Sequence, residues 1–257
     1  MELSIIIVSF NARAELERCL VSLTRHPPWA DHEIVVVDNA STDGSAEAAA
    51  QFDVRVLQAG ENLGFARANN LGIRQSSGRH LLLLNGDTIV PAGGIDRLLA
   101  ELDRHPDVAV VGPRLVDGSG RAELSFGPLI GPINEIRQKW RARGDVERLT
   151  RRRHFPDWVS GACLLVRRED AESVGLLDER YFMYTEDVDF CAALRAQGRR
   201  ILFTPEVEVV HLRGRSVAAA RDATEQAYRR SQIAFYEKHH PRWAPVLKAY
   251  LRARGRM

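Results

Sequence analysis

Asn85 and Asp87 are two oxygen-bearing side chains separated by one glycine, within the apolar run LLLLNGDTIV of residues 81–90. Such side chains at positions i and i+2 can face one hard divalent cation together with the phosphates that the cation binds. Asparagine offers only a neutral carbonyl, so Asp87 would be the one anionic ligand of the pair. The same residues are also typical of a plain turn, because Asn-Gly between apolar runs is a strong hairpin signal.

A second candidate is TEDVDF, residues 185–190, in which Glu186, Asp187 and Asp189 place three carboxylates in five residues. Thr185 can cap a helix at this point, and the helix dipole then favours negative charge in the first turn. Two interpretations follow. The segment is either an acid-rich helix start with no further role, or it carries a general base that stays ionised at neutral pH.

His211 and Asp38 each end an apolar run, in VEVVHLRGRS and HEIVVVDNAS respectively. A lone histidine is more often structural than a ligand, but a neutral imidazole at the end of a strand is an acceptable ligand for Mn²⁺. Asp38 could accept hydrogen bonds from a base or a ribose. It could equally be the acceptor of a turn, because the letters DNASTDG are rich in turn-forming residues.

These candidates depend on the elements that position them. Apolar, β-branched runs at 3–10, 32–41, 54–59 and 79–87 alternate with segments of helical periodicity at 13–26, 64–76 and 93–105. The alternation predicts an α/β fold with a doubly wound, mainly parallel sheet and helices on both faces. Ligands of such sheets bind beyond the carboxyl ends of the strands. The helix expected after Asp87 also weakens the hairpin interpretation.

The second half of the chain is less regular. We expect short strands joined by a Gly-rich turn over 107–126, a strand over 158–169, a loop leading into a helix over 181–198, and a strand pair over 200–214. The chain shows no internal repeat and no linker that would separate independent units. A single domain over residues 1–257 is therefore predicted.

Composition limits the classes of protein that this chain can be. With 45% hydrophobic and 27% charged residues, it has the balance of an ordinary globular protein. The start MELSIIIVSF lacks the features of a signal peptide, and no apolar run approaches the roughly 18 residues of a membrane span. Three widely spaced cysteines argue against a disulfide framework or a zinc site, so a cytoplasmic location is expected.

The net charge of +2 is unevenly distributed. Residues 137–153 carry eight basic and two acidic side chains, and residues 242–257 carry five basic side chains and no acid. This pattern indicates local anionic partners rather than an extended nucleic-acid surface, and no aromatic-interleaved platform supports nucleic-acid binding. The tail is also amphipathic, so it could rest on an anionic membrane leaflet or pack on the body as a solvated helix.

Seven motifs are spread over residues 3–216. In sequence and in order they resemble the motifs of the inverting glycosyltransferases of family two with the GT-A fold, especially their rhamnosyltransferase-like branch. They are SIIIVSFN, VVVDNASTDGS, NLGFARANNLGI, LLLLNGDT, SGACLLVRRE, GLLDERYFMYTEDVDFCAALRAQG and HLRGRS.

The resemblance implies a nucleotide-diphosphate-sugar donor bound mainly by residues 1–112, an acceptor and catalytic half over 113–216, and a basic helical tail over 217–257. By position in the motifs, four residues belong to the donor site. Ser9, Asn11 and Asp38 would hold the base and ribose, and Arg67 would lie near the nucleotide.

The same resemblance implies a divalent metal, Mn²⁺ or Mg²⁺. Asn85 and Asp87 stand where the family has a metal-binding D-x-D motif, and His211 matches a later ligand. This chain departs from the family pattern by lacking the first carboxylate and by having glycine, rather than proline, between Asn85 and Asp87. The departures imply a looser loop and leave the affinity for the metal open.

Two further positions line the acceptor side by resemblance, Gly161 and Ala162. Asp187 matches the catalytic base, supported by Glu186. Asp187 would remove a proton from an acceptor hydroxyl during a single displacement that inverts the anomeric carbon.

The favoured donor is dTDP-L-rhamnose, with a glycan or lipid-linked acceptor of cell-surface polysaccharide synthesis. UDP-hexoses are the alternative donors of the same fold. Two other classes remain open at this point. A sugar-nucleotide nucleotidyltransferase would normally have a Gly-rich basic loop where this chain has VSFNARAEL, and a non-catalytic binding module would have no use for Asp187 and His211 beside Asp87.

Overall fold

The computed structural model describes residues 1–131, 134, 145–212 and 221–254, with side chains from 225 onward in the last range. Within these ranges the chain forms ten strands and nine helices. The strands are β1 (Leu3–Ser9), β2 (His32–Asp38), β3 (Arg55–Gln58), β4 (His80–Asn85), β5 (Thr88–Ile89), β6 (Val108–Val116), β7 (Phe126–Gly127), β8 (Trp158–Val159), β9 (Cys163–Arg167) and β10 (Arg200–His211). The helices are α1 (Arg13–Arg25), α2 (Ser45–Ala49), α3 (Gly64–Arg74), α4 (Gly94–Arg104), α5 (Val146–Leu149), α6 (Arg168–Ser173), α7 (Glu186–Ala196), α8 (Arg221–His239) and α9 (Ala244–Ala253).

The main sheet has eight strands in the order β3-β2-β1-β4-β9-β6-β10-β5. Parallel pairing joins β1 to β2 and β4, and β2 to β3, as the alternation of the first hundred residues predicts. Ser9 lies opposite Asp38, and Val8 lies opposite Asn85. The carboxyl ends of these strands therefore meet at one edge of the sheet. The predicted α/β, mostly parallel fold is confirmed.

Alternate residues of the central strands enter two apolar layers, one on each face of the sheet. Ile5 and Ile7 belong to one layer, and Ile6 belongs to the other. All three are fully buried, which explains why β1 reads as an uninterrupted apolar run rather than as an alternating one.

The prediction of one strand over 158–169 is wrong, because this segment forms two separate strands. It forms β8, which pairs with β7 in a separate two-stranded sheet, and β9, which inserts antiparallel between β4 and β6. The bend between them, residues 160–162, takes the chain from the small sheet to the large one. Local composition does not report that change of pairing partner.

The predicted strand pair over 200–214 is also wrong within the described residues, because 200–211 form the single strand β10, while 213 and 214 lie outside them. The register of β10 against β6 shifts between Thr204 and Glu208. Pro205 lies within the shift, and since proline has no N–H to donate to a ladder, it is accommodated at an irregularity of this kind. Pro205 therefore interrupts the ladder of one continuous strand.

The hairpin interpretation of Asn85-Gly86-Asp87 is excluded by the pairing of the next strand. The chain leaves β4 and forms β5, which pairs antiparallel with β10 at the far edge of the sheet, with Thr88 opposite His211. The backbone N–H of Leu212 also donates to the Asp87 carbonyl at 2.8 Å. This pairing brings Asp87 beside His211.

The tail forms two helices, α8 and α9, whose apolar residues pack on α7 and the loop before it. Phe235 and Tyr236 of α8 share a small buried cluster with Tyr181, Val188 and other apolar residues. In the part of the chain that the structure describes, no helix has both the length and the apolar character that crossing a bilayer requires. The division into donor, acceptor and tail regions stays a prediction.

Candidate functional site

Two polar side chains at the carboxyl ends of β1 and β2 are buried without a complete set of partners. The hydroxyl oxygen of Ser9 and Oδ1 of Asp38 have no hydrogen-bond partner among the described residues. Asp38 Oδ2 accepts the backbone N–H of Ser41 at 3.2 Å, so only one of its oxygens is used by the turn. An unsatisfied buried polar atom costs about 1–3 kcal/mol. Both atoms thus lack a partner at the carboxyl ends of β1 and β2, the edge where ligands of such a sheet bind.

Asn11 and Arg67 have partners within the protein. Asn11 Oδ1 accepts the backbone N–H of Thr42 at 2.8 Å, and the Asn11 N–H donates to the hydroxyl of Ser41 at 3.0 Å. Asn11 thus holds the loops after β1 and β2 together. Arg67 is half-exposed, with its Nε 3.8 Å from Glu179 Oε2. Their roles toward a nucleotide stay predictions.

The Asn85–Asp87 segment and His211 form one cluster. Nε2 of His211 lies 3.3 Å from Asp87 Oδ1 and 3.5 Å from the Asn85 side-chain nitrogen. The backbone at Gly86 does not require glycine. Its φ is not positive, and a Cβ added there would be 3.5 Å from Leu16, an ordinary van der Waals contact. The two predicted metal ligands are therefore brought together by the pairing of β5 with β10.

A carboxylate that the sequence did not indicate completes this cluster. Glu123 Oε2 lies 3.1 Å from Nδ1 of His211, on the opposite side of the ring from Asp87. Burial opposes a charge on His211, but the hydrogen bonds and negative charges of Asp87 and Glu123 outweigh it and raise the pKa of His211 to about 9. Glu123 follows a Gly-rich turn and belongs to no motif, so no local signal distinguishes it.

The bend between β8 and β9 connects the metal-motif region to the acidic helix. The backbone N–H of Gly161 donates to Asp187 Oδ2 at 2.9 Å. The carbonyl of Ala162 accepts the backbone N–H of Asn85 at 2.9 Å. The two residues predicted to line the acceptor side thus lie between the other two groups of site residues, and their contact with an acceptor stays a prediction.

Glu186 and Asp187 open α7 as an interacting acid pair, in which Glu186 is buried and Asp187 is partly buried. Burial raises the pKa of both, and the charge of Asp187 raises that of Glu186 further. Asp187 Oδ1 also accepts the backbone N–H of Val188 at 2.8 Å, whereas Glu186 Oε2 has no partner among the described residues. Hydrogen bonds to Asp187 favour its charged form, whereas burial and the charge of Asp187 favour the neutral form of Glu186.

Thr185 does not cap α7 in the way its position suggests. Its backbone is left-handed, with φ of 66°, and its hydroxyl is buried without a partner. Tyr184 is left-handed as well, with φ of 72°. Non-glycine residues in this region are uncommon and cluster at functional sites. The side-chain cap predicted at Thr185 is therefore absent, and α7 is preceded by a loop with two left-handed residues.

Asp189, the third carboxylate of the motif, anchors the tail. It is almost fully buried and lies 2.7 Å from Lys238 Nζ and 2.6 Å from His239 Nε2, both on α8. The hydroxyl of Tyr181 donates to it at 3.1 Å. These contacts give Asp189 a structural role, which separates it from its two neighbours.

A close approach of α3 holds the loop before α7 from the other side. The backbone N–H of Phe65 donates to the Phe182 carbonyl at 2.7 Å. Gly64 has φ of 76°, and a Cβ there would clash with the same carbonyl oxygen. Only glycine allows this contact without strain.

Among the described residues, no group of three or more His, Cys, Asp or Glu side chains is arranged to hold a metal ion. Asp87 and His211 are thus two potential ligands rather than a complete protein cage. The Gly-Arg loop that follows His211, at 213–216, and most of the basic segment 137–153 lie outside the described residues.

Comparison with known proteins places the chain in a family. The family model Glycosyl transferase family 2 matches residues 4–175. The N-acetylglucosaminyl-diphospho-decaprenol L-rhamnosyltransferase of Mycobacterium tuberculosis is 32% identical over 268 residues, spanning 94% of this chain and 86% of that protein. The low-salt glycan biosynthesis hexosyltransferase Agl10 of Haloferax volcanii is 26% identical, over 82% of this chain and 67% of its own length.

Solved structures agree with this at the level of fold. The mannosyltransferase PcManGT from Pyrobaculum calidifontis, in complex with GDP-Man and Mn²⁺, superposes with a TM-score of 0.66 at 20% identity. The match covers 97% of this chain and 68% of that one. Together, the matched family model, the relatives and the fold lead to one conclusion: the chain belongs to glycosyl transferase family 2, and it is a nucleotide-sugar glycosyltransferase with the GT-A fold.

Proposed function

We propose that this enzyme transfers L-rhamnose from dTDP-L-rhamnose to a hydroxyl of a lipid-linked glycan acceptor, with inversion at the anomeric carbon. The choice of sugar and acceptor is supported by the M. tuberculosis relative, whose name states both a rhamnosyl transfer and a diphospho-decaprenol acceptor. The observation that carries the mechanism is the bend at 160–162, which hydrogen-bonds to Asp187 on one side and to Asn85 on the other. Membership of a glycosyltransferase family excludes the two other classes considered for this chain, a sugar-nucleotide nucleotidyltransferase and a non-catalytic binding module.

The base in this proposal is Asp187. Its carboxylate takes the proton of the acceptor hydroxyl while the oxygen bonds to the anomeric carbon and the bond to the diphosphate breaks. One displacement needs one carboxylate, unlike the paired acids of glycoside hydrolases. Burial raises the pKa of Asp187, which makes it a stronger base, and the Gly161 and Val188 N–H groups orient its two oxygens.

Glu186 contributes by staying neutral. If both carboxyls were charged in this buried position, their repulsion would be severe, so the pair holds one proton, as coupled acids do. The proton stays on Glu186, which lacks the two backbone hydrogen bonds of Asp187. Asp187 is thereby left ionised to act as the base.

The donor's diphosphate is proposed to bind with a divalent metal, for which Asp87 and His211 fit. Their ligand atoms, 3.3 Å apart, are at a separation compatible with two neighbouring ligands of one ion, and a carboxylate with an imidazole suits Mn²⁺. With two protein ligands, the remaining coordination positions suit phosphate oxygens and water. When bound, the ion would neutralise charge that develops on the leaving diphosphate.

The nucleotide is proposed to bind at the ends of β1 and β2. Ser9 and Asp38 offer buried polar atoms without partners at that edge. A thermal-shift screen of dTDP, UDP and GDP, each with and without Mn²⁺ or Mg²⁺, tests this assignment. We expect the largest shift with dTDP plus metal, and loss of most of that shift with EDTA. A larger shift with UDP, followed by transfer from a UDP-hexose rather than from dTDP-L-rhamnose, would replace the proposed donor.

The helix α9 is proposed to contact an anionic membrane leaflet, where lipid-linked acceptors reside. Trp243, the residue that caps α9, and Val246 and Tyr250 within the helix are each about half-exposed and follow one another at spacings of three and four residues. Ala244 and Leu251, seven residues apart on another side of the helix, are buried. Arg242, Arg252 and Arg254 are exposed basic side chains in the described part of this region. An apolar stripe beside basic residues is typical of a helix that lies in the membrane interface.

Sedimentation with vesicles tests the membrane contact. The intact protein should sediment with vesicles that contain phosphatidylglycerol at low salt and should be released at high salt. A variant combining Trp243→Ala, Val246→Ala and Tyr250→Ala should bind several-fold less. Trp29→Ala is the matched control, because Trp29 is 95% exposed and lies far from α9 in the sequence. Equal binding by both variants, or no sedimentation of the intact protein, would remove α9 from this role.

A further inference from the structure

We propose that Glu123 is a positioning residue for the metal, acting through His211. The proposal rests on the metal role given above to Asp87 and His211. Glu123 Oε2 lies 3.1 Å from Nδ1 of His211, while Nε2 of the same ring faces Asp87 Oδ1 at 3.3 Å. One carboxylate thus contacts each nitrogen of the imidazole. The arrangement is that of a metal-ligand histidine whose other nitrogen is held by an outer carboxylate.

The backbone holds Glu123 in this place. The chain turns tightly after β6, with Gly120 in a left-handed conformation and Asp117 accepting the backbone N–H groups of Ser119 and Arg121. It then returns along β6, where the N–H of Glu123 donates to the Leu115 carbonyl at 2.9 Å. The turn therefore fixes the position of Glu123 independently of any metal.

The neighbouring strand brings His211 to the same level. Val116 of β6 lies opposite Val210 of β10, so the residue after Val210 is adjacent to the end of the turn. The side chains of Glu123 and His211 are 9% and 15% exposed. A carboxylate this deeply buried is stable only when it is paired, and His211 is one of its partners.

The consequence for the imidazole is a defined orientation and tautomer. A neutral histidine has one N–H and one lone pair, and the nitrogen that donates a hydrogen bond decides which is which. When an ion takes the place of the proton on Nε2, Nδ1–H still donates to Glu123, and the lone pair that ligates is on Nε2, the atom that faces Asp87. The other tautomer would direct an N–H toward the ion. Glu123 thus selects the form of His211 that can ligate.

This role also bears on the missing first acid of the metal motif. Asn85 supplies no charge, so Asp87 alone would have to offset a divalent cation from within the motif. Glu123 places a second carboxylate beside the ligand histidine without occupying a coordination position. Its negative charge and its hydrogen bond both strengthen His211 as a ligand.

Mn²⁺ affinity, measured by electron paramagnetic resonance of the free ion, tests the proposal without an activity assay. We expect Glu123→Ala to weaken Mn²⁺ binding about 10–100-fold, the usual effect of removing such an outer partner. Glu123→Gln should weaken it less, because the amide oxygen still accepts from Nδ1–H. Glu169→Ala is the matched control, since Glu169 is an exposed glutamate on α6. It should bind Mn²⁺ as the wild type does.

A double-mutant cycle with His211→Ala separates positioning from a general charge effect. If Glu123 acts through His211, Glu123→Ala should weaken Mn²⁺ binding little or not at all once His211 is absent. Equal, additive losses in both backgrounds would overturn the positioning role. Unchanged Mn²⁺ affinity in a folded Glu123→Ala or Glu123→Gln variant would also overturn it. Failure of the wild type to bind Mn²⁺ would instead overturn the metal role itself, and this inference with it.

Discussion

Asp187→Asn should lower kcat by about 10²–10⁴-fold, the range that general-base catalysis contributes. Asparagine keeps the shape of the side chain, and its Oδ1 can still accept one of the backbone N–H groups of Gly161 and Val188. It has no basic oxygen that could take the proton of an acceptor hydroxyl. The measurement is single-turnover sugar transfer at saturating donor, with donor affinity determined separately. We expect affinity for the nucleotide to change little.

Glu186→Gln is the matched control for this result. It removes the neutral partner of the pair while leaving Asp187 in place, so it should reduce transfer far less than Asp187→Asn. The two variants should also differ in the pH dependence of stability. The pKa of Glu186 is raised in the folded protein, so the wild type loses stability as pH rises from the ordinary range of glutamate through the raised value. Glu186→Gln should show a flatter dependence of Tm on pH.

Two outcomes would contradict these assignments. Near wild-type kcat for Asp187→Asn would exclude Asp187 as the base. A larger loss in Glu186→Gln than in Asp187→Asn would move the role to Glu186. Circular dichroism and Tm of each variant establish that the comparison is made between folded proteins.

Asp87→Asn should lower kcat by about 10²–10³-fold and weaken Mn²⁺ binding strongly. It removes the one anionic ligand of the motif, and electrostatic stabilisation of developing charge is typically worth that much. The fold should persist, because the backbone carbonyl of Asp87, rather than its side chain, accepts the Leu212 N–H at 2.8 Å. The measurement is sugar transfer as a function of Mn²⁺ concentration, which should require much more metal in the variant.

Asp53→Asn is a suitable control, because it makes the same chemical change at an exposed position before β3. It should leave the Mn²⁺ dependence of transfer unchanged. If Asp87→Asn kept wild-type transfer at low Mn²⁺ concentration, Asp87 would not be a metal ligand, and its contact with His211 would have a different role.

Much of the first half of the fold could be read from the sequence. Uninterrupted apolar runs such as SIIIV predict strands buried on both faces, and their alternation with helical segments predicts a parallel sheet. Parallel strands end at one edge, so Ser9, Asp38 and Asn85 could be assigned to the same edge before any coordinates were known. The helix predicted to begin within TEDVDF is likewise found, as α7.

The second half could not be read in the same way, because its strands pair with partners far away in the chain. A local pattern reports which side of a segment is buried, but it does not report which strand lies beside it. The insertion of β9 between β4 and β6 and the pairing of β5 with β10 are therefore invisible in the residues concerned. Pro205 shows the same limit, since only the neighbouring strand decides whether a proline ends a strand or interrupts its ladder.

The sequence by itself determined the candidate chemistry: one carboxylate in the metal motif, an acid pair at a helix start, and a histidine at the end of a strand. The tertiary structure decided how these groups act together. It placed Asp87 beside His211, supplied Glu123 as the second carboxylate, and tied Asp187 to Gly161. The physical reason is that the charge and orientation of a buried polar group depend on the partners that surround it, and long-range strand pairing supplies those partners.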